Sequence, residues 1–224
     1  MFDFNETKPR VGTLYYFMKS GLSPIGPVAL CLMLLARAPA AFGTSIVAPD
    51  FDQMVGKSDY IVRAVVKSVT PEWRDNPDRP GHQYIATLVE LDVKEVIKGT
   101  PPSPLVLDLV GGRIGDKELT IDGAPRFTVG QESILFVKGN GSQIVPLVGM
   151  NHGHYPLRRD KVTGKAQMMH SNGQLLYSEK EIGQPESAST SAAVRDPSAR
   201  PLSADEFAAR IRNSPKFRNR EDLN

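Results

Sequence analysis

Between Tyr60 and Tyr177 the chain alternates short apolar segments with turn residues, and this pattern restricts the fold more than any other feature. In the first segment, Tyr60–Val69, one face carries the residues Tyr60, Val62, Ala64 and Val66. The other face is predicted to carry Arg63 and Lys67 with Ile61, Val65 and Val69. Period-two alternation bounded by glycine, proline and asparagine is typical of antiparallel strands. The sequence therefore predicts an all-β chain of about eight or nine short strands.

The second strand, Tyr84–Ile97, is predicted to be unusually long, with one face that carries Ile85, Val89, Leu91, Val93 and Ile97. Ordinary strands have about 5–6 residues, so we expect a bend or bulge that lets this strand pair with two neighbours. A proline-rich turn, Pro101–Pro104, ends it, and a third strand follows at Leu105–Val110. Further hairpins are predicted at three turns, Asn140-Gly141, Thr163-Gly164 and Asn172-Gly173. The expected architecture is a small antiparallel OB-like barrel over residues 44–183, with additional C-terminal hairpins.

The segment Pro71–Gly81 is rich in proline and is predicted to be a polar loop. It holds Trp73, the only tryptophan, and Tyr84 follows it. An aromatic side chain on a loop at a barrel mouth is typical of a binding surface. A lid over the open end of the barrel is the alternative.

Beyond the β domain, residues 184–201 are rich in serine, alanine and proline, which predicts a flexible linker. Residues 202–224 are predicted to form a short helix and a disordered tail. Ser203 is the expected N-cap, and Phe207 and Ile211 form an apolar stripe one turn apart. That stripe either docks on the barrel or waits for a partner.

Residues 1–43 contain the three parts of a secretory signal peptide. Lys19 supplies the basic start, Val28–Leu35 the apolar run and Ala36–Gly43 the small-residue exit. A membrane-spanning helix needs about 20 apolar residues, so this run is too short to span. We expect initiation at Met18, cleavage between Ala40 and Thr44, export to the periplasm or beyond, and no stable membrane span afterwards. A retained anchor is the alternative.

Cleavage would remove both the net charge and the thiol chemistry. Residues 1–43 hold four of the 27 Lys and Arg residues and two of the 25 Asp and Glu residues, which leaves 23 of each sign. Nucleic-acid binding needs a concentrated excess of basic residues, so it is excluded. The only cysteine, Cys31, also lies in the signal, so disulfides, a thiol nucleophile and a cysteine-based zinc site are excluded.

The segment Asn151–Tyr155 is the best candidate for chemistry. In an extended conformation His152 and His154 point to the same face, where both imidazoles can reach one metal ion. His170 or Asp160 is available as a third ligand. The alternative is a glycine-flanked turn at a strand entrance, and no metal-binding motif of the HExxH type is present.

Other candidate residues have simpler explanations. Ser133 lacks the G-x-S-x-G context of a nucleophile and is predicted to be an ordinary strand residue. Nothing in the sequence places Glu132 beside Asp108 as a carboxylate pair. The glycine-rich Gly111–Gly115 lies between two strands rather than before a helix, so it is predicted to be a turn rather than a phosphate cradle.

Three motifs resemble a pattern found in exported bacterial proteins of uncharacterised function. They are Ser58–Val66, Val93–Gly99, and Gly130–Glu132 before Ile134–Val137. More distantly, residues 51–148 resemble the netrin-like/TIMP-like domain, which implies an OB-type barrel. Netrin-like and TIMP domains are tied by disulfides, and TIMPs act through an N-terminal cysteine. The chain that follows the predicted cleavage has no cysteine, so TIMP-like metalloprotease inhibition is not implied.

These observations predict an exported non-enzymatic binding or scaffold module, without a cofactor, for a protein or envelope component. The candidate binding surface comprises Trp73, Tyr84, Arg113, Asn151, His152, His154 and Tyr155. The alternative is a metal-dependent hydrolytic enzyme that uses His152 and His154.

Overall fold

The computed structural model describes residues 48–161, 163–184 and 199–218. The predicted signal peptide, residues 185–198 of the predicted linker and the end of the tail lie outside the described residues. The elements are α1 (Phe51–Lys57), β1 (Tyr60–Asp75), β2 (Gln83–Lys98), β3 (Leu105–Val110), β4 (Gly112–Ile114), β5 (Lys117–Leu119), β6 (Glu132–Val137), β7 (His154–Arg159), β8 (Ala166–Met168) and α2 (Ala204–Asn213). Single 3-10 turns lie at Met150–Gly153 and Glu179–Glu181.

Six strands form one sheet in the order β3-β2-β1-β6-β7-β8, and every neighbouring pair is antiparallel. β4 and β5 form a separate hairpin. The prediction of an all-β class is confirmed, with two short helices added. Within the described ranges β3 and β8 are the outer strands of the sheet, and no pairing between them closes it into a barrel.

The pairing of β1 with β2 contains three register shifts, which confirms the predicted bulges in a long strand that has two neighbours. Each extra residue reverses the alternation of side chains between the two faces. The sequence assigned Ile97 to the face of Val89 and Val69 to the face of Ile61, and both assignments are wrong. Ile97 packs with Ile61, and Val69 packs against Val89.

The two faces of the sheet carry two separate cores. The helix-side core lies under α1 and α2 and includes Ile61, Phe136, Tyr155, Phe207 and Ile211. The loop-side core is formed by β1, β2, β3 and β6 with the chain that follows β6, and includes Val62, Val89, Leu107, Leu135 and Leu147. Alternating residues of β6 enter opposite cores, so this strand reads as a continuous apolar run.

The C-terminal helix docks on the sheet. The Ser203 side chain and the Glu206 side chain form a reciprocal capping box, as the predicted N-cap requires. Phe207 and Ile211 are fully buried, and Phe207 packs among the rings of Phe51, Phe136 and Tyr155. The apolar stripe of α2 is therefore part of the helix-side core rather than a free surface.

A buried lysine joins α1 to the sheet. Lys98 at the end of β2 is 5% exposed, and its Nζ donates hydrogen bonds to the carbonyl oxygens of Val55 and Ser58, at 2.7 and 3.1 Å. A cation at this end of a helix satisfies carbonyls that have no partner within the helix. The adjacent Gly99 has φ +74°, and a Cβ there would lie 2.3 Å from the Asp59 carbonyl oxygen.

Two predicted boundaries are wrong. Pro71–Asp75 belongs to β1 and pairs with β2 up to Gln83, so the loop is only 76–82. Pro71 is tolerated because β6 pairs with β1 only as far as Val65, and no other described strand pairs with this edge of β1 beyond that point. The expected return strand after Asn140-Gly141 is reduced to one bridge, between Val137 and Leu147.

Substituting Gly99 by alanine tests the close approach of β2 to the start of β1. Gly115 has a similar positive φ but open space around it, so Gly115→Ala is the matched control. The control should lose about 1–2 kcal/mol for the left-handed conformation. Gly99→Ala should lose about 1–3 kcal/mol more because the methyl group meets backbone atoms. Urea unfolding measures both, and equal losses would contradict the described contact.

Substituting Phe207 by alanine tests the docking of α2. Because the ring is fully buried, we expect a loss of about 3–5 kcal/mol in the free energy of unfolding. Phe207→Leu should lose less and keeps the test usable if the alanine variant does not fold. Val129→Ala, at a residue that is 61% exposed, is the control. A Phe207→Ala variant as stable as the control would show that the helix is not part of the core.

Candidate functional site

The seven residues of the predicted binding surface do not form one surface. Trp73 lies opposite Ile85, and Tyr84 lies opposite Arg74 on the paired strands β1 and β2. Directly paired residues share a face, so Trp73 lies on the face of Ile85. Tyr84 is the neighbour of Ile85 in β2 and therefore lies on the opposite face. Trp73 is 45% exposed. The structure therefore separates the two aromatic residues that the sequence placed together.

The other predicted residues are distributed over three further environments. Arg113 lies on the β4–β5 hairpin and pairs with Glu118. The backbone N–H of Asn151 donates to the Gly123 carbonyl oxygen within the loop-side region. Tyr155 is buried against Phe136 in the helix-side core, and burial raises the pKa of its hydroxyl.

His154 forms a buried pair with Ser133. Its Nε2 and the Ser133 Oγ are hydrogen-bonded at 3.0 Å, and its ring lies against Phe127 with centroids 4.9 Å apart. His154 is 4% exposed and Ser133 is 1% exposed. Burial lowers the pKa of His154 to about 4, so the imidazole is neutral at neutral pH. Ser133 was predicted to be an ordinary strand residue, and sequence reasoning missed this pair because it is formed across β6 and β7.

The proposed metal ligands are not arranged as the sequence analysis assumed. His152 lies in the 3-10 turn Met150–Gly153, so the assumption of an extended segment is wrong. His154 faces the loop-side core, whereas the suggested third ligand, His170, lies against Tyr155 on the other face. Among the described residues, no group of three or more His, Cys, Asp or Glu side chains is placed to hold a metal ion.

The carboxylates Glu132 and Asp108 lie far apart in the sheet order, on β6 and β3. Glu132 accepts a hydrogen bond from Arg63 Nε at 2.6 Å, and Asp108 is paired with Arg74. Each carboxylate is therefore neutralised by a guanidinium in its own part of the sheet. They do not form a catalytic pair.

A groove of about 920 Å³ lies along one side of β2. We call it the β2 groove, and it is lined by Val65, Lys67, 90–93, Val96 and 99–105. Val96 is 47% exposed, which is unusual for a valine in a strand of the main sheet. The volume of the β2 groove falls within the range of about 300–1,000 Å³ that ligand sites occupy.

The β2 groove exists because β3 is shorter than β2. The two strands pair from Ala86–Val110 to Leu91–Leu105, and β2 then continues to Lys98. In the parts of the chain that the structure describes, no strand pairs with the outer side of β2 beyond Leu91. The chain from Gly99 to Pro104 runs back to β3 without joining the ladder.

The charged side chains at the rim of the groove neutralise one another. Lys67 Nζ donates to Glu90 at 2.7 Å, and Lys94 Nζ donates to Asp92 at 2.5 Å. The Glu90 carboxylate raises the pKa of Lys67. Proline and valine side chains form the remaining walls, so the groove combines apolar walls with a balanced rim.

Sequence reasoning missed this groove, although one signal was present. Pro101, Pro102 and Pro104 follow a strand that was recognised as too long for one neighbour. Proline cannot donate a ladder hydrogen bond, so this segment cannot cover the edge of β2 as a strand. The pattern therefore indicates an incompletely paired strand rather than only a turn.

The comparisons with known proteins identify no family for this chain. A scan against protein-family models found no match. A search of curated proteins found no relative. The resemblance to netrin-like/TIMP-like domains stays a prediction, and the site is interpreted from its geometry.

No described helix is both long enough and apolar enough to cross a bilayer.

The His154–Ser133 pair predicts a pH dependence of stability. The pKa of His154 is about 4 when folded, against an ordinary value of 6.5, so the unfolded chain binds the proton more readily. The stability associated with the neutral imidazole is complete above pH 6.5 and is lost as pH falls through about 4. The loss by pH 4 should be about 3 kcal/mol.

Urea unfolding at pH 7.5, 5.5 and 4 measures this loss. His154→Gln keeps a hydrogen-bonding side chain but cannot titrate, so its stability should fall less steeply with acidity. His82→Gln, at an exposed loop position, is the control. A His154→Gln variant with the wild-type pH dependence would assign the effect to other groups.

Proposed function

We propose that this chain is an exported, non-enzymatic binding module that holds a polypeptide partner in the β2 groove. The observation that carries the proposal is the groove itself, which joins the exposed Val96 to a strand edge that has no neighbour among the described strands. Polypeptides match such a surface because they offer both apolar side chains and main-chain hydrogen-bonding groups. The partner is a protein or a protein component of the envelope.

The buried chemistry of the chain supports binding rather than catalysis at this groove. The Ser133–His154 pair is covered by Phe127, and neither residue lines the β2 groove. The titratable side chains that do line it are Lys67, Glu90 and Asp92, and each is held in an ion pair. Groups held in this way fix the shape of a rim, whereas a general base needs a free position beside its substrate.

The proposal has two finer parts, which concern export and the origin of the sheet. Export follows from the basic start, short apolar run and small-residue exit of residues 19–43. We also propose that the sheet is derived from an OB-type barrel, because its long bulged β1 pairs with a different strand on each side. The motif resemblance supports the same relationship.

A display library of random heptapeptides tests the proposed function. The library is panned against the chain from Thr44 to Asn224. The affinities of the enriched peptides are then measured for this chain and for two variants of it. Val96→Arg fills the groove with a bulky charged side chain, and Val129→Arg places the same change at an exposed valine that does not line the β2 groove. We expect binding to fall at least tenfold in Val96→Arg and to stay unchanged in Val129→Arg.

Two outcomes would overturn the proposal. One is that no peptide is enriched over an unrelated β protein. The other is that the enriched peptides bind both variants equally, which would place recognition outside the β2 groove. Circular dichroism and urea unfolding of both variants confirm that they are folded before binding is compared.

A further inference from the structure

We infer that the partner binds as an added β-strand, in which an extended, uncharged segment lies between β2 and the proline segment Pro101–Pro104. This inference rests on the proposed function and specifies how the β2 groove recognises a polypeptide. The occupant is a segment of another protein with apolar side chains at alternating positions.

The main chain of β2 provides the first argument. Each residue of a strand carries one N–H and one C=O, and in a sheet interior these groups alternate between the two neighbouring strands. From Asp92 to Ile97 the inner side faces β1, while the described part of the chain supplies no strand for the outer side. An unpaired edge of this kind is a template for an incoming strand.

The proline segment provides the second argument. Gly99–Leu105 has to return along the length of β2 to reach the first β2–β3 pair, at Leu91 and Leu105. Three of its residues are prolines, which lack an N–H and cannot complete a ladder. The segment therefore runs beside β2 as a separate wall, and the groove is bounded by this wall, by 90–93 and Val96 of β2, and by Val65 and Lys67 of β1.

The rim charges determine the chemistry of the occupant. Lys67–Glu90 and Lys94–Asp92 are each satisfied within the protein, so no unpaired rim charge attracts an acidic or basic peptide. Val96 lies opposite Val62 and Val93 lies opposite Ala64, so the exposed Val96 and the half-buried Val93 offer apolar contacts on the same face of the edge. A strand presents its side chains alternately to two faces, so apolar residues at every second position meet one of these contacts.

The same edge is poorly suited to a second copy of this chain. The β2 register shifts pass over Lys94 and Ile97, and such bulges hinder the long, regular pairing that two identical edges would form. A lysine in the middle of an edge also disfavours pairing between identical edges. Val96 is therefore a contact for a different polypeptide rather than for a second copy of this chain.

The experiment uses the tightest heptapeptide obtained from the library and measures two properties of its complex. In the first, each backbone amide of the peptide is N-methylated in turn. An added strand donates to β2 from every second residue, so N-methylation should lower affinity at least tenfold at alternating positions and little at the others. In the second, hydrogen exchange should slow at amides within Val93–Ile97 and stay unchanged within Ile134–Val137.

The outcomes separate this inference from the proposed function. In one outcome the peptide needs Val96 for binding, but N-methylation shows no alternating pattern and no β2 amide is protected. This outcome overturns strand addition and leaves the binding function in place. Enrichment of charged or proline-rich peptides also overturns it. Sedimentation that shows a dimer disrupted by Val96→Arg would assign the edge to a second copy and overturn the inference.

Discussion

The structure depends on the pairing of β1 with β2, two 16-residue strands held together along almost their whole length. Regular alternation over this length would place Ile97 on the face of Val89 and Val69 on the face of Ile61. The three register shifts prevent this, because each shift exchanges the faces. One hairpin thereby supplies Ile61 and Ile97 to the helix-side core and Val62, Val69 and Val89 to the loop-side core. α1, α2, β3 and β6 are arranged around these two surfaces.

The motifs behind the family resemblance have structural roles in this arrangement. Lys98 and Ser58 bond to carbonyl oxygens of α1, and the Asp59 side chain accepts a hydrogen bond from the Gly139 N–H. The turn at Gly130 exchanges backbone hydrogen bonds with Val66, through Gly130 N–H and through the Gln131 carbonyl oxygen. These residues fix how the first helix and β6 join β1. They therefore specify a way of folding, and proteins that share them need not share a partner.

Local sequence determined the parts of the structure that depend on neighbouring residues. The all-β class, the Leu105–Val110 strand, the bulges in the long strand and the Ser203 cap were all predicted because period and capping chemistry are local. The faces of the sheet on which Ile97 and Val69 lie were not predicted correctly, because the position of a bulge depends on the partner strand. The Ser133–His154 pair and the β2 groove were missed for the same reason: both arise where two strands meet, or fail to meet.

Beyond Leu91 no described strand pairs with the outer side of β2, which poses a physical problem that the surrounding residues address. An unpaired, partly apolar edge promotes aggregation, and proteins protect such edges with lysines, bulges and prolines. All three are present here, at Lys94, at the register shifts and at Pro101–Pro104. None of them removes the edge, because the prolines stand beside it without bonding to it. A loop of ordinary residues could have extended β3 and closed the gap. The retained gap, bordered by paired charges, admits one extended segment while it hinders the broad edge-to-edge association that a flat strand would allow.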